Sequence, residues 1–311
     1  MGQINEFELI KRYLAPLQCR QIPLSLGDDA AILPCDSATY VCTDTLVSGI
    51  HFLPHWPVEH VAYKAVAVNV SDLMAMGAKA QTIQLALTLP DAQPDRLAAL
   101  HQGLKAACET FGVCLSGGDT TRGAIMVLTV TALGTAASGR PWRRSGVRPG
   151  DLLAVTGTLG DAALGLAMLM GQAPEDDACM LALQRPQLPL DAWRYLTKLD
   201  VHAAIDISDG LVQDAGHLAA QSGVSIVIEL ERLPLSSPVQ QWCAHHGNWD
   251  PPLFGGEDYQ LLVAMPPELA RQAQTDGQVR IIGRVERGQG VSVLHQGRVF
   301  PLSGTQGFQH F

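Results

Sequence analysis

Six acidic clusters punctuate this chain, each beside glycine or a hydroxyl and each following an apolar stretch: Gly27-Asp28-Asp29, Thr43-Asp44-Thr45, Ser71-Asp72, Gly117-Gly118-Asp119, Asp206-Ile207-Ser208-Asp209 and Gly255-Gly256-Glu257-Asp258. Apolar runs that stop at Asp and Gly read as strands and helices giving way to turns, so the acids are expected at element ends. Any one cluster has a plain explanation, because Asp bonds its own backbone in turns and Gly supplies positive φ. Six in one chain point further. Carboxylates gathered in one place repel and do not all ionise unless cations neutralise them. Mg²⁺ fits that need: it takes oxygen ligands, keeps several waters, and binds through one or two carboxylates together with substrate phosphates. The pattern therefore predicts a site for several Mg²⁺ ions and a polyphosphate.

Composition narrows the class. At 311 residues the chain is long enough for about two domains, and 47% hydrophobic with 16% charged residues is a globular balance. No apolar run reaches the roughly 18 residues of a membrane span. Residues Met1 to Arg12 include Glu6 and Glu8 among scattered apolar positions, which is not the layout of a secretory signal, so a cytoplasmic location is expected. Seven cysteines at irregular spacing, with no C-x-x-C pair, indicate neither a disulfide framework nor a zinc site. A formal charge of −9 argues against a nucleic-acid surface. An anionic nucleotide would need metal and local arginines.

In the first half, Ala38–Thr45, Gln81–Leu89 and Ile125–Leu133 read as strands. Between them lie two helices. One runs from about Val58 to Met76, with Ala65, Asn69, Asp72 and Met76 on one face and Gly77 as the stop. Asp72 thus falls near a helix carboxyl end, where the dipole disfavours a carboxylate unless a cation or a nearby lysine compensates it. The other runs from about Pro94 to Phe111, with Leu97, Leu100, Leu104 and Ala107 at core spacing and Gly112 at its end. From Ala136 to Gly150 the composition shifts to Gly, Pro, Ser and Arg, the pattern of an exposed connection. Domains are expected over 1–137 and 150–311.

The second half opens with a strand at Leu152–Thr156 and the turn Gly157-Thr158-Leu159-Gly160-Asp161. That turn has neither the dinucleotide fingerprint nor a P-loop, so it reads as a packing turn. Ala203–Asp206 leads through Ser208-Asp209-Gly210 into a helix ending near Gln221; Val224–Leu230 and Leu261–Met265 are further strands. Both halves mix α and β.

With these segments assembled, the chain resembles the thiamine-monophosphate kinase family, itself similar to aminoimidazole ribonucleotide synthetase and selenophosphate synthetase. The likeness is collinear and rests on Gly27–Ala31, Thr43–Phe52, Lys64–Gly77, Gly117–Gly123, Ile205–Leu211 and Gly255–Tyr259. It implies a two-domain α/β fold like aminoimidazole ribonucleotide synthetase, a homodimer formed through the amino-terminal sheets, and ATP-dependent conversion of thiamine monophosphate to thiamine diphosphate, the last step of thiamine diphosphate biosynthesis. The family's metal ligands fall on Asp29, Thr43, Asp44, Asp72, Asp119, Asp206 and Asp209. Cys42 stands where many relatives have serine; binding through its backbone carbonyl would leave that metal position intact, whereas binding through a hydroxyl would not. ATP contacts map to Gly118, Asp119, Arg144 and Ser208, and thiamine-side contacts to His51, Glu257 and Phe308.

The implied chemistry suits the residues. Phosphoryl transfer asks for in-line positioning and charge neutralisation. A phosphate-monoester acceptor, with a second pKa of about 6, is already anionic near neutrality, so no general base is required. His51, between Ile50 and Phe52, is otherwise a satisfied imidazole; Arg122 either clamps phosphate or braces the Gly-Gly-Asp-Thr-Thr-Arg loop; the role of Arg143 stays open. Two rivals stand beside this reading. One is another enzyme of the same superfamily, although Cys19 lacks the glycine-rich setting of a selenophosphate synthetase. The other is a nucleotide-binding module without catalysis, which would hold Mg–ATP and leave it unconsumed.

Overall fold

Alternation in Thr39–Val47 places Tyr40, Cys42, Asp44 and Leu46 on one face and Thr43 and Thr45 on the other, and three of the first four are buried. In the computed structural model, which describes residues 28, 30–33 and 39–302, this segment is β2 of a five-stranded sheet. The sheet comprises β1 (Ala31–Leu33), β2 (Thr39–Val47), β3 (Ala78–Leu89), β4 (Cys114–Arg122) and β5 (Val127–Ala136), in the order β1-β2-β5-β3-β4. All neighbours are antiparallel except β3 and β4. In β3 the buried positions switch from 78 and 80 to 83, 85, 87 and 89. The bulge between Ala80 and Thr82 causes that switch, because one extra residue turns the rest of the strand over.

Helix α1 (Val58–Ala75) lies across the inner face of this sheet and is buried from Val61 to Ala75 at every position but Asp72. It packs on α2 (Pro94–Phe111). The core stripe of α2 is Leu100, Gly103, Ala107 and Phe111, while Leu97 is 38% exposed. The expected leucine stripe is therefore rotated onto Gly103, where a Cβ would lie 2.1 Å from the Glu59 carbonyl oxygen.

The second sheet has seven strands in the order β12-β11-β8-β10-β6-β9-β7. They are β6 (Leu152–Val155), β7 (Ala203–Asp206), β8 (Val224–Glu229), β9 (Leu261–Met265), β10 (Arg280–Arg287), β11 (Gly290–His295) and β12 (Arg298–Val299). Only β8 and β11 are parallel neighbours. The accompanying helices are α3 (Asp161–Leu169), α4 (Asp177–Gln184), α5 (Leu190–Leu196), α6 (Leu211–Ser222), α7 (Ser237–His246), α8 (Asp250–Phe254) and α9 (Pro267–Thr275). A core centred on Ile205, Leu211, Ile226 and Leu262 sits beneath α6.

The expected strands and helices appear with ends shifted by a few residues, and Ala203–Asp206, Leu261–Met265 and Pro94–Phe111 match end for end. Besides the rotated stripe of α2, a second expectation fails. Gly117–Arg122 was expected as a loop and is the edge strand β4, exposed along its whole length. Helix α1 joins the two sheets: it touches β7, the Trp193 indole N–H donates to the Met74 carbonyl at 3.1 Å, and Lys64 Nζ donates to the Leu183 carbonyl at 2.9 Å.

Candidate active site

Three chain segments bring the acids together where the sheets meet. Inward parity on β2 aims Asp44 toward α1. On α1, Asn69 sits one turn before Asp72; its Oδ1 accepts from the Asp44 backbone N–H at 3.1 Å and its Nδ2 donates to the Ala65 carbonyl at 3.0 Å. Asp72 itself falls in the last turn of α1, which carries no basic residue. The third segment is the end of β7, where Asp206 is 2% exposed and accepts from the Ser71 hydroxyl at 2.6 Å. After Asp206 the chain turns through Ser208 and Asp209 into α6. Asp214 braces that turn by accepting the backbone N–H of Asp209 at 3.2 Å and of Gly210 at 3.1 Å. The Gly255–Glu257 segment lies against the same turn: the Glu257 N–H donates to the Ser208 carbonyl at 2.8 Å, and a Cβ on Gly256 would come within 2.0 Å of that oxygen. Glycine is required there by close backbone approach.

These segments wall a cavity of about 700 Å³ with two kinds of lining. The acidic lining is Asp44, Asp72, Asp206, Asp209 and Glu257; the apolar lining includes Phe52, Trp56, Leu166, Leu183 and Phe254. Among the described residues no lysine or arginine lines it. The acids act on their buried neighbours. Burial, then the charges of Glu257, Asp44, Asp206 and Asp72, hold the Tyr259 hydroxyl well above its ordinary pKa. Burial, then Asp72 and Asp44, do the same to the Cys42 thiol. Burial, then Asp209 and Asp206, raise the Asp214 carboxyl well above the carboxylate range. An array of hard oxygen donors converging on one cavity, with no lysine or arginine among its described lining residues, fits a divalent cation such as Mg²⁺ better than a softer metal.

Comparison with known proteins agrees with this layout. Residues 27–136 match the model for AIR synthase related protein, N-terminal domain, and residues 148–296 match that for AIR synthase related protein, C-terminal domain. The thiamine-monophosphate kinase of Haemophilus influenzae is 36% identical over 99% of this chain and 98% of its own length. The chain belongs to the thiamine-monophosphate kinase family. The enzyme of that name from Salmonella typhimurium is 40% identical over 86% of this chain and 85% of its own. Among solved structures, AaThiL complexed with AMPPCP and TMP superposes with a TM-score of 0.87 at 34% identity, covering 100% of this chain and 99% of that one.

Within this thiamine-monophosphate kinase fold, the residues expected at the site divide into three groups. Thr43, Asp44, His51, Asp72, Asp206, Ser208, Asp209 and Glu257 line the cavity. His51 Nδ1 accepts the Val47 backbone N–H at 3.0 Å, which leaves the proton of a neutral ring on Nε2. The Thr43 hydroxyl pairs with that of Thr131 at 2.9 Å. Cys42, Gly118, Asp119 and Arg144 stand off the cavity lining. The Cys42 thiol is buried and donates to the Asn69 carbonyl at 3.2 Å, so its side chain is a protonated core group, leaving only the backbone route to a cation. Gly118 and Asp119 lie on the exposed edge strand β4, paired with Leu85 and Ala86. The Arg144 backbone bridges the Asp28 carboxylate at 2.9 Å and the Ser222 hydroxyl at 3.0 Å. Asp29 and Phe308 lie outside the described residues.

Sequence reasoning passed over Lys64, Trp56, Asp214 and Tyr259. Lys64 carried a signal: a lone cation in the apolar run of α1 has to find a buried partner.

Proposed function

We propose that the protein transfers the γ-phosphoryl group of ATP to thiamine monophosphate, giving thiamine diphosphate and ADP. An anionic oxygen of the acceptor phosphate forms the new bond to the γ-phosphorus, and the bond from that phosphorus to the ADP oxygen breaks. The carrying observation is the mixed lining of one cavity, in which acids from β2, α1 and the end of β7 stand together with apolar side chains and Glu257. AaThiL, a relative complexed with AMPPCP and TMP, supports a reading with these two ligands.

Asp44, Asp72, Asp206 and Asp209 would hold Mg²⁺, which when bound neutralises charge on the phosphates. Asp29 and Asp119 belong to the same proposed set, with Thr43 and the backbone of Cys42 beside them. Ser208, Gly118, Asp119 and Arg144 are assigned to ATP. His51, Glu257 and Phe308 are assigned to thiamine monophosphate. In that assignment Nε2–H of His51 donates toward the acceptor phosphate, and the Glu257 carboxylate favours a cationic ring where water is partly excluded. The apolar wall excludes water from the reacting group. No residue is asked to take a proton, because the acceptor oxygen is already ionised.

The proposal extends to a cytoplasmic homodimer with domains at 1–137 and 150–311. The family-model matches over 27–136 and 148–296 support that division. Free thiols at Cys42, Cys108, Cys114, Cys179 and Cys243 support a reducing compartment. The exposed edge of β4 supports pairing with a second copy, since an unpaired strand edge invites association.

The test mixes purified protein with ATP, Mg²⁺ and either thiamine or its monophosphate, and separates the products chromatographically. Thiamine diphosphate from the monophosphate alone, abolished by a chelator and restored by Mg²⁺, is the expected result. ATP bound but unconsumed would leave only a nucleotide-binding module.

A further inference from the structure

Among the described residues Lys64 is the only lysine or arginine that is buried, at 0% exposure. It stands behind the cavity wall, and its ammonium group reaches three residues that form the wall. It donates to the Leu183 carbonyl at 2.9 Å, forms an ion pair with Glu257, and lies 5.3 Å from the centroid of the Trp56 ring. Leu183, Glu257 and Trp56 all line the cavity.

The Glu257 carboxylate is thereby held from several sides. Its residue adopts a φ of +72°, which a non-glycine side chain keeps only when its surroundings enforce it. The backbone N–H is tied to Ser208, and the Tyr259 hydroxyl reaches Oε1 at 3.4 Å. Oε2 meets Lys64 as an ion pair without a hydrogen bond of good angle. The side chain still keeps 31% of its surface open. Beside it the Trp56 indole N–H is buried with no hydrogen-bond partner among the described residues. A buried ammonium persists only when paired, and here the pairing runs from α1 to two elements of the other sheet's layer.

We infer that Lys64 is a positioning residue for the acceptor: it fixes the Glu257 carboxylate in place in the cavity lining beside Trp56 and Leu183, and thereby ties acceptor affinity to the docking of α1 on the second sheet's layer. This rests on the phosphoryl-transfer reading above. The contacts of Lys64 run to Glu257, Trp56 and Leu183, the first of which the reading above assigns to the acceptor, so its removal is expected to weigh more on the acceptor than on the nucleotide.

The experiment measures kcat and both KM values for the unaltered protein, Lys64→Met, Lys64→Arg, Glu257→Gln and the Lys64→Met/Glu257→Gln double variant. Lys64→Met is expected to raise KM for thiamine monophosphate about tenfold or more, with KM for ATP within about twofold and kcat within about threefold. Lys64→Arg should recover most of the acceptor KM. Once Glu257 is replaced, losing Lys64 should cost less than about threefold, since the two act as one unit. An equal rise in both KM values, a fall in kcat alone, or an undiminished penalty in the Glu257→Gln background would overturn the assignment. Should Lys64→Met fail to fold, the double variant, which removes both charges together, is compared with Glu257→Gln. Equal acceptor KM values support the inference, and a further tenfold rise defeats it. Failure of the underlying reading looks different: the unaltered protein itself makes no thiamine diphosphate.

Discussion

The Ser71 hydroxyl donates to the Asp206 carboxylate over 2.6 Å, with both residues buried. That bond fastens the last turns of α1 to the end of β7 and sets Asp72 and Asp206 at one corner of the cavity. Replacing Ser71 with Ala removes a donor from a buried carboxylate, which costs about 1–3 kcal/mol. Urea unfolding of Ser71→Ala should show a loss of that size together with weakened turnover. Full activity at unchanged stability would mean that the two layers are held without it.

Asp44 and Asp72 come from different elements and face the same cavity. Asn is nearly isosteric with Asp and removes one charge from a repelling group, so Asp44→Asn and Asp72→Asn should fold with unchanged or higher melting temperature. Turnover should fall by at least about 10²-fold, the scale on which a group stabilising transition-state charge is missed. Near-normal rates in both variants with unchanged circular dichroism would remove them from the site.

Asp258 provides a pH signature. Burial pushes its carboxyl up to about 8, against the opposing effect of the Gly160 and Ala162 backbone N–H groups at the start of α3. The unfolded chain releases this proton near pH 3.9, while the native protein holds it to about pH 8. The native state thus binds more protons in that window, and the contribution is full below pH 4 and fades as pH rises through about 8. Compared with Asp258→Asn, the unaltered protein should lose stability between pH 5 and pH 8, by at most about 1.4 kcal/mol per pH unit. Parallel stability profiles for the two proteins would contradict the burial effect.

Cysteine reactivity should follow burial. The thiols of Cys179 and Cys243 are pushed up to about 12 and about 11, chiefly by burial, and Cys42 is held well above its ordinary value. Cys114 is exposed on β4. Alkylation of the native protein at pH 8, read by mass spectrometry, should modify Cys114 and spare the other three until the chain is denatured. Labelling of Cys42 at the rate of Cys114 would place it outside the core.

Much of this architecture was legible in local pattern. The ends of α2 show in Pro94 and Gly112, and the inward parity of Asp44 follows from its spacing to Tyr40, Cys42 and Leu46. What stayed hidden depends on partners far along the chain. Ser-Gly-Gly-Asp-Thr-Thr carries turn chemistry, yet it becomes β4 because β3 offers a free edge to pair with. Most helices of the second half pack through short apolar stripes too brief to announce themselves. Phe308 and Asp29, expected at the site, lie outside the described residues, so their placement rests on the resemblance alone.

The order of residues alone established the chemistry available: acids at element ends, glycines where backbones approach closely, and a helix carrying one lysine, one asparagine and one aspartate in an apolar run. Tertiary structure decided which of these meet. It joined Asp44, Asp72 and Asp206 across two sheets and set Lys64 behind Glu257. It also left Asp119 out on an exposed strand edge. The physical reason is that propensity and period act over a few residues, whereas charge, burial and ion pairing act across whatever distance in sequence the fold has closed in space.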